Sequence, residues 1–477
     1  LFKEFWRVWW LRIIYAIALL FILTIMFFTA TRGMMFAYFI IIPLLLLALI
    51  VWWRKIFPDH PRRRKWIVAV LVLLVLVPIL IWPMRDFRPI RRSPFISRLR
   101  AFSLQDKTTQ SRFSIWRMSF NGFLERPILG WGQENYYLVF QKYFDPKLYS
   151  SEPWFDRSHN LVLDWLVHAG LPGFFAFFSL LGSVFYLIWR GVKRSLLSPW
   201  IGITLWGALG AYLLQNIFVF DNLNTYILLF GIFAYVNSLD AKDAAAPSRR
   251  SGNWSLGLAV AAAMLVLTGF LGFGWHGKAI QESRALLRVL QLAQVGVPLE
   301  VLTPEFRRTL SYDTFGNTEV REQMANIARN VASNSDLDPG ERLRFVEYAL
   351  EELRKETGRP AKDVKHMLFL ASVLSAAAHI KPEYALEAEL VLREALRLSP
   401  AKQLVYFELG QLYLRAQRYP EALDILRKAA LLEPSYAQAY ANFLIAGVLA
   451  KDLNAVAEAK KNLDISGLDA DALRRVG

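Results

Sequence analysis

Long runs without a charged residue constrain this chain more than any other feature. A helix needs about 20 apolar residues to cross a bilayer. Uncharged, largely apolar runs of that order occupy 13–30, 33–53, 66–84, 169–189, 195–220, 222–239 and 254–274. Backbone polar groups in lipid must be satisfied within the segment, so each run predicts a helix. The expected fold class is therefore all-α, a polytopic transmembrane bundle of about seven spans. The composition agrees: 55% of the 477 residues are hydrophobic and only 20% charged. The first residue is Leu1 and no signal-peptide pattern follows, which reads as an N-terminally truncated piece with further spans ahead of it. Zero cysteines exclude disulfides, a thiol nucleophile and thiolate metal sites.

Lys and Arg sort the connections between these runs. Lys3, Arg7 and Arg12 precede the first. Arg54, Lys55, Arg62, Arg63, Arg64 and Lys65 follow the second, Arg190, Lys193 and Arg194 the fourth, and Lys242, Arg249 and Arg250 the sixth. All four clusters are expected on the cytoplasmic side. Seven crossings then put Thr31-Arg32, the segment 85–158, Asp221-Asn222 and everything from Lys278 onward outside. That orientation suits a multi-pass membrane protein with an extracytoplasmic tail.

The segment 85–158 is too long for a simple turn, and loops of that length usually carry function. It is also basic beyond what orientation requires: Arg85, Arg88, Arg91, Arg92, Arg98, Arg100, Lys107, Arg112, Arg117 and Arg126 face Asp86, Asp106 and Glu125. With the net charge of +16, this calls for an anionic partner, either lipid headgroups or a phosphate-bearing substrate, rather than nucleic acid. For 85–100 a basic surface lying on lipid is the preferred reading. Within 111–124, Phe113, Trp116, Phe120 and Phe123 recur at helical spacing, predicting an amphipathic helix against the membrane surface on which Arg112 and Trp116 share a face. Pro127 ends it, and Gly130-Trp131-Gly132 makes a flexible turn.

The order of short motifs resembles a known family. Thr31-Arg32-Gly33 stands between two helices. After a helical hairpin come Arg112-x-x-x-Trp116 and Arg126-Pro127-Ile128-Leu129-Gly130-Trp131-Gly132. Tyr136, Tyr137, Phe140, Tyr143 and Phe144 follow, then Ser158-His159-Asn160-Leu161 and the turn Gly170-Leu171-Pro172-Gly173. Residues 10–240 resemble the shared catalytic region of O-antigen ligases, O-antigen polymerases and bacterial protein O-oligosaccharyltransferases. The resemblance implies a glycosyltransferase. It would use an undecaprenyl-pyrophosphate-linked glycan as donor and a hydroxyl of a glycolipid, glycan or protein as acceptor, at the outer face of the inner membrane. It carries over Arg32, Arg112 and His159 as catalytic residues: the two guanidiniums bind the pyrophosphate, and the imidazole serves as base or orients the acceptor. Arg117, Trp116, Asn160 and Asp164 join Arg32 and Arg112 as substrate-binding candidates. Fixed guanidiniums can stabilise a departing pyrophosphate without a metal, and an imidazole near its ordinary pKa can take a proton, so no metal or cofactor is expected.

Against each functional reading stands a plainer one. Arg32 could snorkel at a helix end, and His159 could be structural at a helix start. Asp164 and His168 lie one and two turns beyond His159; His168 replaces the acidic residue associated with that position and receives no role. Asp221, Asn222 and Asn224 read as an outer turn, and Asp469-x-Asp471 as solvated surface. From another class altogether comes a membrane-tethered scaffold whose tail recruits a protein partner.

That tail, from Lys278, is helix-rich. Residues 401–434 form a 34-residue unit in which Leu409, Gly410, Tyr413, Tyr419, Ala422, Leu426, Ala429 and Pro434 fall at tetratricopeptide packing positions. A second helix of a preceding repeat fits 388–400, and a degraded repeat fits 435–463. The expected organisation is a membrane domain over 1–275, a helical connector over 276–360, and tetratricopeptide-like repeats over 361–477.

Overall fold

The computed structural model describes residues 9–29, 32–58, 61–81, 83, 87, 106–244 and 254–463. Every regular element among these residues is helical. The arginines of 85–100, Thr31, Arg249, Arg250 and Asp469-x-Asp471 lie outside the described residues. The chain divides into two compact units, Leu1–Tyr136 with Asp156–Ser248, and Tyr137–Phe155 with Arg249–Gly477.

The first unit contains α1 (Trp9–Thr29), α2 (Arg32–Val51), α3 (Arg64–Ile81) and α4 (Lys107–Glu125). After α5 (Tyr136–Lys142), which leads into the second unit, it resumes with α6 (Leu161–Lys193), α7 (Pro199–Gln215) and α8 (Leu223–Ala244). Six of the seven uncharged runs fall in α1–α3 and α6–α8, and the seventh in α9 (Trp254–Gln294) of the second unit. By length and composition, α2, α6 and α9 are long and apolar enough to cross a membrane. Along α6, Phe177, Leu181, Val184 and Ile188 recur at helical spacing and are buried with Leu209 of α7 and Leu229 and Val236 of α8. Its opposite face exposes Phe175, Leu180, Tyr186 and Trp189, a large apolar surface of the kind lipid covers.

One local expectation changes here. Gly170-Leu171-Pro172-Gly173 is no turn between elements; it is a break inside α6, at Gly170 with φ 62° and ψ −165°. Pro172 then falls in the first turn of the second half, where no N–H is needed. Helix α4 begins at an Asp106 cap, whose carboxylate accepts from Thr109 N at 2.8 Å. It buries Ile115, Met118, Ser119 and Gly122 and packs on α6, leaving Phe113 and Phe120 exposed.

In the second unit the helix that carries the seventh run does not end near Lys278. No proline interrupts 254–294, and α9 continues through 41 residues. Its first half exposes Leu258, Leu265, Phe270 and Phe273, while Leu286 and Val289 of its second half enter a core. It is followed by α10 (Leu299–Leu310), α11 (Asn317–Ser333), α12 (Pro339–Thr357), α13 (Val364–Ala377), α14 (Glu383–Leu398), α15 (Gln403–Arg415), α16 (Tyr419–Leu432), α17 (Ala437–Leu449) and α18 (Leu453–Asn462). Successive helices from α13 onward pack on one another, as in a solenoid of helix pairs. The 34-residue unit is α15 with α16, and Leu409, Tyr413, Ala422, Leu426 and Ala429 are each at most 2% exposed.

The segment Tyr137–Phe155 lies along the N-terminal ends of α13, α15 and α17. Gln141 donates to Lys362 O at 3.0 Å and accepts from Val364 N at 3.0 Å. Gln403 donates to Pro146 O at 3.1 Å, and Tyr149 stacks on Tyr436 with ring centroids 4.2 Å apart. At the centre, the Lys402 ammonium donates to Pro153 O at 2.7 Å. It faces the rings of Trp154, Phe144 and Phe140 at 3.8, 4.2 and 5.1 Å. The repeats thus hold a segment of their own chain.

Candidate active site

His159 sits in an unusual backbone. Its φ of 53° lies in the left-handed region that non-glycine residues seldom enter. Its neighbours hold it there. Asn160 caps α6, its carbonyl oxygen accepting from Val162 N at 3.0 Å and Leu163 N at 3.1 Å. Asp164, one turn into α6 and 6% exposed, accepts from Ser158 N at 2.8 Å. The Ser158 hydroxyl donates to Asn160 O at 2.9 Å. Leu161 N donates to Asn216 O at 2.8 Å, tying the turn to the end of α7. A strained turn fixed from both sides is a recurrent mark of a functional position.

The three residues 218–220, between α7 and α8, draw the other candidates together. The Arg112 guanidinium lies 5.8 Å from the centre of the Phe218 ring, and the Trp116 ring 6.1 Å from it. The His159 ring stands 5.1 Å from that of Phe220. Gly33 lies beside them: a Cβ on it would sit in ordinary contact with the Phe218 Cβ, at 3.5 Å. The backbone of Arg32 opens α2 at the same place; its side chain lies outside the described atoms. The Trp116 indole N–H is buried, with no hydrogen-bond partner among the described residues. Arg117, five residues from Arg112, is rotated about 140° around the helix from it and is exposed.

The motif 126–132 is built for α6. Where Gly170 breaks that helix, the carbonyls of Val167 and His168 lose their helical donors and accept instead from Trp131 N at 2.7 Å and Gly132 N at 3.0 Å. In return, Leu171 N donates to Pro127 O at 2.9 Å. Both glycines are required by contact: a Cβ at Gly170 would lie 2.1 Å from Ile128 O, and one at Gly130 2.5 Å from Val167 O. Trp131 is anchored by its indole N–H on Gly122 O at 2.8 Å, with Arg126 stacked 4.0 Å over its ring. The expected flexible turn is therefore a fixed clasp.

Beside this clasp is a cavity of about 260 Å³, lined by Gln133, Arg157, Leu161, Asp164, Trp165, His168, Asp221 and Tyr226. Asp221 accepts from the Tyr212 hydroxyl at 2.9 Å and from Asn216 at 3.2 Å. Burial raises its carboxyl above the usual range, against the opposing effect of these donors. Arg157 pairs with Glu134. His168 is 5% exposed, and its Nε2 has no hydrogen-bond partner among the described residues.

Of the sequence candidates, Arg112, Trp116 and His159 are thus gathered around residues 218–220. Asp164 supports the His159 turn and also faces the cavity, Asn160 acts as a helix cap, and Arg117 stands apart. Phe218, Phe220 and Tyr226 were not legible as site residues, since an aromatic among apolar residues carries no signal of its own. Asp221, read as a turn residue, lines the cavity; an acidic residue flanked by two apolar runs was the available clue. Among the described residues, no group of His, Asp and Glu is placed to hold a metal ion.

No curated protein matches the chain in sequence. Among solved structures, a thermophilic TPR protein from Thermus thermophilus is similar at 20% identity, over 41% of this chain and 96% of that chain, with a TM-score of 0.30. Residues 17–178, about a third of the chain, span Arg32, Arg112, Trp116, His159, Asp164 and His168, and in this segment the chain matches the family described as O-antigen ligase.

Proposed function

We propose that the chain is a membrane glycan transferase of the O-antigen ligase kind. It moves a glycan from an undecaprenyl-pyrophosphate donor to an acceptor hydroxyl on the outer face of the inner membrane. The observation that carries this reading is the clustering of Arg112, Trp116 and His159 around residues 218–220, within or beside the segment that matches the ligase family. In the reaction, the acceptor oxygen forms a bond to the anomeric carbon while the bond from that carbon to the pyrophosphate oxygen breaks. The electron pair leaves on the pyrophosphate, where Arg32 and Arg112 stabilise the charge. The acceptor's proton passes to His159. Helices α1–α3 and α6–α9 serve as the spans, with the repeats outside.

The test is transfer of a labelled glycan from undecaprenyl pyrophosphate by the full chain in proteoliposomes. Arg112→Ala and His159→Ala should each reduce turnover by about 10²-fold or more. Wild-type turnover in either variant would remove that residue from the mechanism. A wild-type chain that leaves the lipid-linked glycan intact while binding a soluble partner would favour the scaffold reading.

A further inference from the structure

Helix α9 continues unbroken from its apolar half into the core of the second unit, so its direction shows which end of that unit faces the apolar half. Helix α10 returns antiparallel to it: Arg288 pairs with Glu305 at 3.9 Å, and Glu282, closer to the apolar half, meets Thr314. The loop 311–316, between α10 and α11, therefore lies at the end of the bundle that faces the apolar half. Helix α11 starts there, and its Glu322 meets Lys365 and His366 at the start of α13. The first of the helix starts that hold Tyr137–Phe155 is thus at this end too. Residues 251–277 contain no Asp, Glu, Lys or Arg, and Glu282 stands five residues past Gly277, about 7.5 Å along the helix. One headgroup layer is about 5–8 Å thick, so a bilayer around the apolar half has its surface at this loop.

The loop is fixed, yet its largest side chain is bare. The Thr314 hydroxyl donates to the buried Glu282 carboxylate and accepts from Gly316 N at 3.0 Å. A Cβ at Gly316 would lie 2.7 Å from Glu282 Oε2, and the Asn317 amide donates to Leu310 O at 3.1 Å. Asp313 is held at a left-handed φ of 50°. On this rigid backing Phe315 is 81% exposed. A single bare ring needs no explanation by itself; this one continues a series, with Phe270, Phe273 and Ile280 exposed along α9 toward the same level. Exposed Lys278, Arg284, Arg307 and Arg308 flank this end, against Asp313 and Glu319, a balance that suits anionic headgroups.

We propose that the loop 311–316 docks on the lipid surface, with Phe315 entering the boundary between headgroups and acyl chains in the leaflet from which α9 emerges. The ring then holds the repeats against the membrane at a second point beside α9. This rests on α9 being a span, as in the transferase reading above.

The chain contains no cysteine, so Phe315→Cys, Phe273→Cys and Leu453→Cys can each carry a single nitroxide. The full chain is placed in nanodiscs of phosphatidylethanolamine and phosphatidylglycerol. Phe273 is exposed in the apolar half of α9, and Leu453 is exposed where α18 begins, at the far end of α17 from Tyr149. Collisions with oxygen, which concentrates in lipid, and with a nickel chelate, which stays in water, read the depth of each label. At 315 the label should lose nickel collisions and gain oxygen collisions relative to 453, while lying shallower than at 273. A reading at 315 equal to that at 453, with 273 in lipid, leaves α9 as a span and overturns the proposal; the ring is then free for a protein partner. A reading of 273 in water refutes the span itself, and the docking with it. A nitroxide is itself apolar, so the native ring is read without a label. Phe315 is bare within its unit, so substitutions there leave the core intact. Hydrogen exchange over 310–317 in the same nanodiscs should rise roughly tenfold or more in Phe315→Ser and stay close to wild type in Phe315→Leu. Equal exchange in wild type and Phe315→Ser would overturn the proposal.

Discussion

Replacing Lys402 with Met keeps most of the side chain's length and removes its ammonium. In the native chain Lys402 is 1% exposed, its ammonium bonded to Pro153 O and enclosed by three aromatic rings. Burial pushes its pKa from 10.5 down to about 7, with the Asp363 charge opposing. At about 1.4 kcal/mol per tenfold change, that gap corresponds to at most about 5 kcal/mol. The ring faces favour the charged form, by about 0.5–2 kcal/mol for such contacts, and bring the expected penalty to about 3 kcal/mol. The sign follows from proton counting. Below about pH 7 the amine is charged in folded and unfolded chains alike, and the burial cost is present in full. Between about pH 7 and 10.5 the unfolded chain keeps the proton that the folded chain has released, so native stability rises with pH. Lys402→Met lacks this rise. At pH 7 its relief from desolvation and its orphaned Pro153 carbonyl, worth about 1–3 kcal/mol, nearly offset each other. Near the top of that pH window the relief has almost gone and the loss dominates. Hydrogen–deuterium exchange of peptides from 137–155 and 400–415, compared between wild type and variant at each pH, reads the difference. Parallel curves for the two proteins across this window would refute the reasoning.

Gly170→Ala should cost at least about 2 kcal/mol, because it adds a Cβ 2.1 Å from Ile128 O at a left-handed φ; an unchanged melting temperature in detergent would argue against the clasp. Asp164→Ala removes the acceptor for Ser158 N and frees the His159 turn, so glycan turnover should fall by about 10–100-fold. Asp164→Asn keeps an acceptor there and should fall less; the reverse order would mean that the carboxylate does not position this turn.

Hydrophobic run length and charge sorting determined the helical class, the places of the apolar helices and the side on which each connection is expected. These are local properties of a chain in a low-dielectric solvent and need no tertiary contact. The packing positions of the 401–434 repeat were equally legible, since each helix pair presents its own periodic apolar face. Motif order also pointed to Arg112, Trp116 and His159. What no local pattern could supply was the partner of each motif. Gly130-Trp131-Gly132 reads as a flexible turn until its N–H groups are seen to answer the carbonyls that Gly170 releases, about 40 residues further along the chain. Phe218, Phe220 and Asp221 join the site only because the end of α7 meets the starts of α2 and α6. The segment Tyr137–Phe155, rich in aromatics and ordinary in sequence, belongs with the repeats because the ends of distant helices hold it through Gln141, Tyr149, Gln403 and Lys402. Sequence determined the elements, which are short-range; tertiary structure alone decided which freed carbonyl or buried ammonium each distant segment would satisfy.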